Sequence, residues 1–140
     1  MPIDYSEYPP NWNEIRERIL SRAHNRCEEC KVKNHSIIKR DGKKWRYICG
    51  TEFDWIKERH HRGGYSYAGA IKSLGFTRIV LTIAHLNHDK ENWEVKDDEL
   101  KALCQKCHLQ LDIKHHTANR KYGRNHNGKQ QLKLIYEIAL

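Results

Sequence analysis

The chain has no apolar run approaching the roughly 18 residues that a membrane span requires, and it shows no internal repeat and no low-complexity segment. A membrane helix and a repeat array are therefore not expected. Its first residues, MPIDYSEYPPNWNEIRERIL, lack the basic stretch and apolar core of a secretory leader, so a cytoplasmic location is expected. Apolar residues are sparse, at 38% beside 31% charged. A single domain of this length then has one modest core, the kind that a structural metal often staples. Acidic charge is short as well, with 18 Asp and Glu against 26 Lys and Arg, a net +8. That imbalance favours a polyanionic partner, nucleic acid ahead of an anionic membrane surface, with ordinary solubility charge as the plain alternative.

Cysteine and histidine are the residues present in excess, five and ten of them. Thiols in a reducing compartment point to metal before disulfides. Cys27 and Cys30 form one CxxC, Cys104 and Cys107 a second. Each tight turn aims two thiolates at one point, and two such turns complete a tetrahedral zinc site. The pairs lie far apart in sequence, so the ion would clamp the N-terminal helix to the C-terminal half and contribute to folding. A set of three cysteines with His108 is a more complicated choice than four cysteines. Cys49 is left over, as a small buried hydrophobe or an inert thiol.

Local patterns outline a mixed α+β chain. Trp12, Ile15, Ile19 and Ala23 recur at helical spacing after Pro9-Pro10, with Asn11 or Asn13 as cap. SIIKRDGKKWRYI predicts a hairpin turning at Asp41-Gly42. Thr51 and Asp54 suggest a capping box for a helix to about His61, ended by Gly63-Gly64. His60 and His61 then fall on a polar helix end. A short helix closing at Gly75 comes next, then one strand, TRIVLTIAHL. After a polar loop, a helix following CQKC would bury Leu109, Ile113 and Leu111, and QLKLIYEIAL forms a last short helix. The expected organisation is one domain over 1–140, with a core of 11–35 plus 77–122, an insertion at 36–76, and a basic tail at 123–140.

The strand ends in AHLNHD, carrying His85 and His88, while His108 directly follows Cys107. Asp112 lies four residues beyond His108, on the same helical face, and His115 and His116 follow one turn later. A histidine and a carboxylate at this spacing can grip a divalent ion from a helix. His88 and His115 also fit ordinary solvent-facing positions.

A strand ending in histidine, a loop, and a CxxCH opening a helix make a ββα-metal layout. Here the chain resembles the HNH endonuclease family, through AHLNHD, LKALCQKCH and the opening YPPNWNEIRERIL with CEEC, as in phage and bacterial members with a four-cysteine zinc. The resemblance spans the first forty residues and 78 to about 116. It implies a small α+β domain with a ββα-metal core. It makes His85 the general base that deprotonates water and His108 a ligand of the catalytic ion; Asp112, His116 and His88, by their placement near these two, are expected as further ligands. Mg2+ or Mn2+ is the expected working ion, although this shell would also hold Zn2+ or Ni2+. The implied reaction is DNA phosphodiester hydrolysis leaving 5′-phosphate and 3′-hydroxyl ends, in a bacterial or phage-infected cell. Ala84 stands where many members have a metal ligand, and Glu99 where the middle asparagine braces the loop.

Basic residues Lys114, Arg120, Lys121 and Arg124, continued by Lys129 and Lys133, suggest an arm along a phosphate backbone. A second basic cluster, Lys39, Arg40, Lys43, Lys44 and Arg46, sits on the hairpin. The family's metal helix approaches the minor groove, and no base-reading motif is visible. The expected partner is double-stranded DNA, with no membrane and no organic cofactor, and the chain a monomer or homodimer. Two other functions fit the same residues: a zinc-stapled DNA-binding module with little or no cleavage, and a structural protein of a nucleoprotein assembly.

Overall fold

A computed structural model of the chain describes residues 5–88 and 93–122. In chain order the elements are α1 (Trp12–Arg22), β1 (Ile37–Asp41), β2 (Lys44–Tyr47), α2 (Gly50–Gly63), α3 (Tyr67–Ser73), β3 (Phe76–Arg78), β4 (Thr82–His85), β5 (Leu100–Leu103) and α4 (Gln105–Tyr122). The fold is α+β, with two antiparallel sheets in the orders β2-β1-β3 and β4-β5. Among the described residues no helix is long and apolar enough to cross a membrane. The chain divides into two compact units, one from 1–31 and 81–140, the other from Val32–Val80.

In the Val32–Val80 unit, Asp41 pairs with Lys44, so the hairpin loop is Gly42-Lys43, one residue later than the sequence suggests. Gly42 takes a φ of 59°, which costs a residue without Cβ little. Helix α2 starts earlier than the expected Thr51–Asp54 box. Cys49 is its N-cap residue, and Glu52 returns a carboxylate oxygen to the Cys49 N–H at 2.9 Å. That carboxylate also takes both Arg46 guanidinium nitrogens, at 2.7 and 2.8 Å, which fastens the hairpin to the helix start. Cys49 is therefore exposed at a helix end, not buried as a small hydrophobe. Gly64, at φ 68°, ends α2 in the left-handed cap that glycine favours. Ser66 caps α3 by accepting the Gly69 N–H at 3.1 Å. Ile37, Ile48, Ile56, Ala70, Ile71 and Phe76 form this unit's core.

The apolar run from Thr77 to Leu86 is two strands rather than one. β3 pairs with β1 through Phe76–Arg78, and β4 pairs with β5 from Thr82. Between them, Ile79 is still tied to the segment before β1: its N–H reaches Ser36 O and its carbonyl accepts from His35, both at 2.8 Å. Ile79 and Leu81 are both fully buried, so hydrophobicity alone gives no sign of the break.

The other unit places β4 and β5 antiparallel, with Thr82 opposite Leu103 and His85 opposite Leu100. β5 leads through Cys104 directly into α4, and α1 packs on β5 with Trp12, Ile15 and Ile19 buried. Strand alternation sends Ile83 and His85 to one side and Thr82 and Ala84 to the other. The expected burial of Leu109 and Ile113 is not found: they are 59% and 52% exposed. The side of α4 that meets β4 is its polar one, through His108 and Thr82. The proposed terminal helix and the basic tail at 123–140, Arg124 included, lie outside the described residues.

Candidate metal centre

Cys27, Cys30, Cys104 and Cys107 bring their sulfurs within 4.8 Å of one another. All four are free thiols, Cys27 and Cys104 buried and the other two partly so. The Cys30 and Cys104 sulfurs are 3.7 Å apart. Two ligands on a tetrahedral zinc with 2.3 Å bonds are separated by roughly 3.8 Å, whereas a disulfide needs about 2.05 Å. The donor set thus fits a structural zinc ion. Burial raises the Cys104 thiol, but hydrogen bonds from the Cys107 backbone and the neighbouring sulfurs bring it below its ordinary value. Burial, then the sulfurs of Cys104 and Cys27, push Cys107 up. A divalent cation relieves that crowding by stabilising the thiolates together.

The two cysteine turns converge because β5 holds both. Cys104 follows β5 directly and its N–H points at Cys27 Sγ, 3.4 Å away. Between the first two cysteines, Glu28 N–H donates to Ala102 O at 2.9 Å, and the Glu28 carboxylate accepts the Ala102 N–H at 2.7 Å. Arg22 joins the arrangement from α1, donating to Glu28 at 2.9 Å, to Leu100 O at 2.7 Å and to Asp97 O at 2.6 Å. Arg18 grips the Asp97 carboxylate with two 2.7 Å bonds. Glu28, inside CEEC, thus helps its cysteines to place the first turn. Lys31, at φ 63°, closes that turn by donating its N–H to Cys27 O at 2.9 Å.

A second cluster lies along α4. His108 Nε2 is 3.5 Å from Asp112 Oδ2, and His88 Nδ1 is 3.4 Å from Asp112 Oδ1. Both separations are close to the roughly 3.3 Å between neighbouring ligand atoms on a tetrahedral ion with 2.0–2.1 Å bonds. His88 stacks on His115, ring centres 4.2 Å apart and planes at 17°. Burial, then His115, hold His88 below the usual imidazole value, against the opposite pull of Asp112. The downward shift favours the neutral ring, whose lone pair is what a metal takes. Among the described residues, only the cysteines bring three or more ligand atoms within 4.8 Å of one another, so the histidine–aspartate set is the looser of the two.

His108 is oriented from behind. Its Nδ1 lies 2.7 Å from Thr82 Oγ1, and that hydroxyl has a second contact with Leu103 O at 3.4 Å. When the hydroxyl turns its proton to the carbonyl it can accept from Nδ1–H, the tautomer that leaves the Nε2 lone pair free for an ion beside Asp112. His85 is placed differently from His108. It is 7% exposed and stacked on Trp12, ring centres 5.4 Å apart and planes at 11°. Its carbonyl accepts the His88 N–H at 3.2 Å, in a turn where His88 takes a φ of 57°. That turn carries His88, not the His85 ring, to Asp112.

Of the residues singled out in the sequence, His88, His108 and Asp112 come together, with His115 in place of His116. His116 is exposed beside them, its ring centre 6.1 Å from that of His115. His115 was legible only as a helical neighbour, three residues after Asp112; its contact with His88 depends on a turn that no periodicity encodes. Ala84 is buried and offers no ligand. Glu99 caps the short turn just before β5, accepting the Lys96 N–H at 2.9 Å and donating its own N–H to Lys96 O at 3.0 Å. Lys114, Arg120 and Lys121 are exposed on α4, Lys114 and Lys121 on one face by their seven-residue spacing. No family model, no curated protein and no solved structure matches the chain.

Proposed function

We propose that this protein is a metal-dependent DNA endonuclease of the HNH type, stapled by a four-cysteine zinc. The observation that carries the proposal is the Asp112 carboxylate facing both His88 and His108, on a helix whose start is fixed by two of the four cysteines. The order β4, loop, β5, Cys104, α4 supports it, as does the +8 charge. Asp112, His108 and His88 would hold the working ion, with His115 behind His88. A divalent ion there supplies charge neutralisation at the scissile phosphate and the leaving 3′ oxygen. His85 would take the proton of the attacking water, and Trp12 fixes its ring plane for that role. Lys114, Arg120 and Lys121 would carry phosphates along α4, positioning the duplex without reading its bases.

One observation favours a second function, a zinc-stapled DNA-binding module without cleavage: His85 is 7% exposed and covered by Trp12, a hindered position for a base that must meet water. Supercoiled plasmid separates the two. Zinc-loaded protein receives Mg2+, Mn2+ or Ni2+ in turn, beside His85→Ala, His88→Ala and Asp112→Asn. Conversion to open circle that needs the added ion and fails in Asp112→Asn supports hydrolysis. Loss in His85→Ala with ion binding retained identifies His85 as the base, whereas loss in His88→Ala together with ion binding is expected from its place in the shell. Retarded but intact plasmid with every ion means a binding module.

A further inference from the structure

The Val32–Val80 unit holds eleven Lys and Arg against four Asp and Glu, a net +7 of the chain's +8. It also carries Tyr47, Phe53, Trp55, Tyr65 and Tyr67, all more than a third exposed. Exposed aromatics on a strongly basic surface are the pairing that single-stranded nucleic acid uses, with rings for bases and cations for phosphates. Here they meet in a concave place. A cleft of about 420 Å3 is lined by Trp55, Glu58, Arg59, Arg62, Tyr65 and Leu74, with Gly63 at its wall.

The cleft gathers planar groups. Trp55, 49% exposed, and Tyr65, 45% exposed, supply aromatic faces. The Arg59 guanidinium sits 5.7 Å over the Tyr65 ring, a second planar surface held in place by cation–π attraction. Gly63 allows this closeness, since a Cβ there would stand 3.1 Å from Tyr65 Cδ2. Arg62 is held at the rim by Glu58 at 3.0 Å, with its side chain still 82% exposed to an incoming phosphate. Two arginines and a glutamate among its seven lining residues make it a poor seat for an apolar peptide. Stacked bases in a duplex cannot present their faces to it.

We propose that this cleft receives an unstacked nucleobase from a single-stranded or locally opened nucleic acid, with Arg59 and Arg62 on the adjoining phosphates. The inference rests on the Val32–Val80 surface alone and does not need the hydrolytic proposal.

Fluorescence anisotropy with the full zinc-loaded chain, without added Mg2+, tests it. The probes are a labelled dT12 and an abasic oligonucleotide of the same length, which keeps the phosphates and removes the rings. Wild type is expected to prefer dT12 by about tenfold, the scale of one or two stacked bases. Trp55→Ala removes the preference and Trp55→Phe keeps most of it. Tyr65→Leu acts in the same direction as Trp55→Ala, and circular dichroism checks that each variant is folded. Arg59→Gln weakens both probes. Equal binding of the two probes by wild type, no binding of either, or a preference that survives in folded Trp55→Ala and Tyr65→Leu would overturn the proposal.

Discussion

Thr82 Oγ1 lies 2.7 Å from His108 Nδ1, so a strand hydroxyl sets which nitrogen of a helix imidazole faces Asp112. Groups that orient a ligand from behind usually matter to metal affinity by 10–100-fold. Thr82→Val keeps the β-branched shape and removes the acceptor. The proposed ion at Asp112 should bind about tenfold or more weakly, measured by isothermal titration. The zinc content should not change, because the hydroxyl touches none of the cysteines.

The four cysteines should behave as one unit. Structural zinc contributes on the order of 10 kcal/mol to folding in small metal domains, comparable to the whole stability of a domain. Cys104→Ser, at the most buried of the four positions together with Cys27, should lower bound zinc from one per chain to none and abolish cooperative thermal unfolding. Elemental analysis and calorimetry read the two effects. Cys49→Ser should leave the zinc content unchanged, since Cys49 stands at the start of α2, outside the cluster.

Two adjacent glutamates in CEEC should differ sharply. Glu28 accepts the partly buried Ala102 N–H and Arg22 together, and its loss leaves that N–H without its carboxylate while Arg22 keeps its two carbonyl partners. Glu28→Ala should cost about 1–3 kcal/mol in chemical denaturation. Glu29 pairs with Lys101 at 2.7 Å on the surface, with 54% of its side chain exposed. Glu29→Ala should cost about 1 kcal/mol or less.

Acid should act on the other unit through Glu52. The Arg46 guanidinium, then the Cys49 N–H, lower its carboxyl to about 2 from an ordinary 4.5. A carboxyl depressed on folding stabilises fully above its unfolded value, and that contribution is lost as pH falls from about 4.5 towards 2. Carbon-detected NMR titration should find the Glu52 midpoint near 2 in wild type. Arg46→Met should move it upward. An unmoved midpoint would mean that the Arg46 pair is not the cause.

The cysteine turns, the hairpin and the α2–α3 glycines were legible because their signals are local: fixed spacing, alternation and a cap with positive φ. The break in TRIVLTIAHL was not, because Ile79 and Leu81 are equally buried on either side of it. β5 was also hidden, since the four residues of LKAL read as the approach to a helix and become a strand only by pairing with β4. Leu109 and Ile113 looked like the buried side of α4, yet the hydrogen bond between His108 and Thr82 turns the polar side inward. At the candidate site, His108 and Asp112 followed from helical spacing. His115 needed the His88 turn, and the covering of His85 by Trp12 needed the packing of α1, neither of which any short motif contains.

The most direct measurement is a count of divalent ions on the intact chain. Zinc-loaded protein is titrated with Mn2+ and followed by electron paramagnetic resonance, wild type beside Asp112→Asn and His108→Ala. One Mn2+ per chain beyond the zinc, lost in both variants, is the result expected if α4 presents a working metal site. Zinc alone, with no Mn2+ taken up by wild type, would contradict the site and leave a zinc-stapled binding protein.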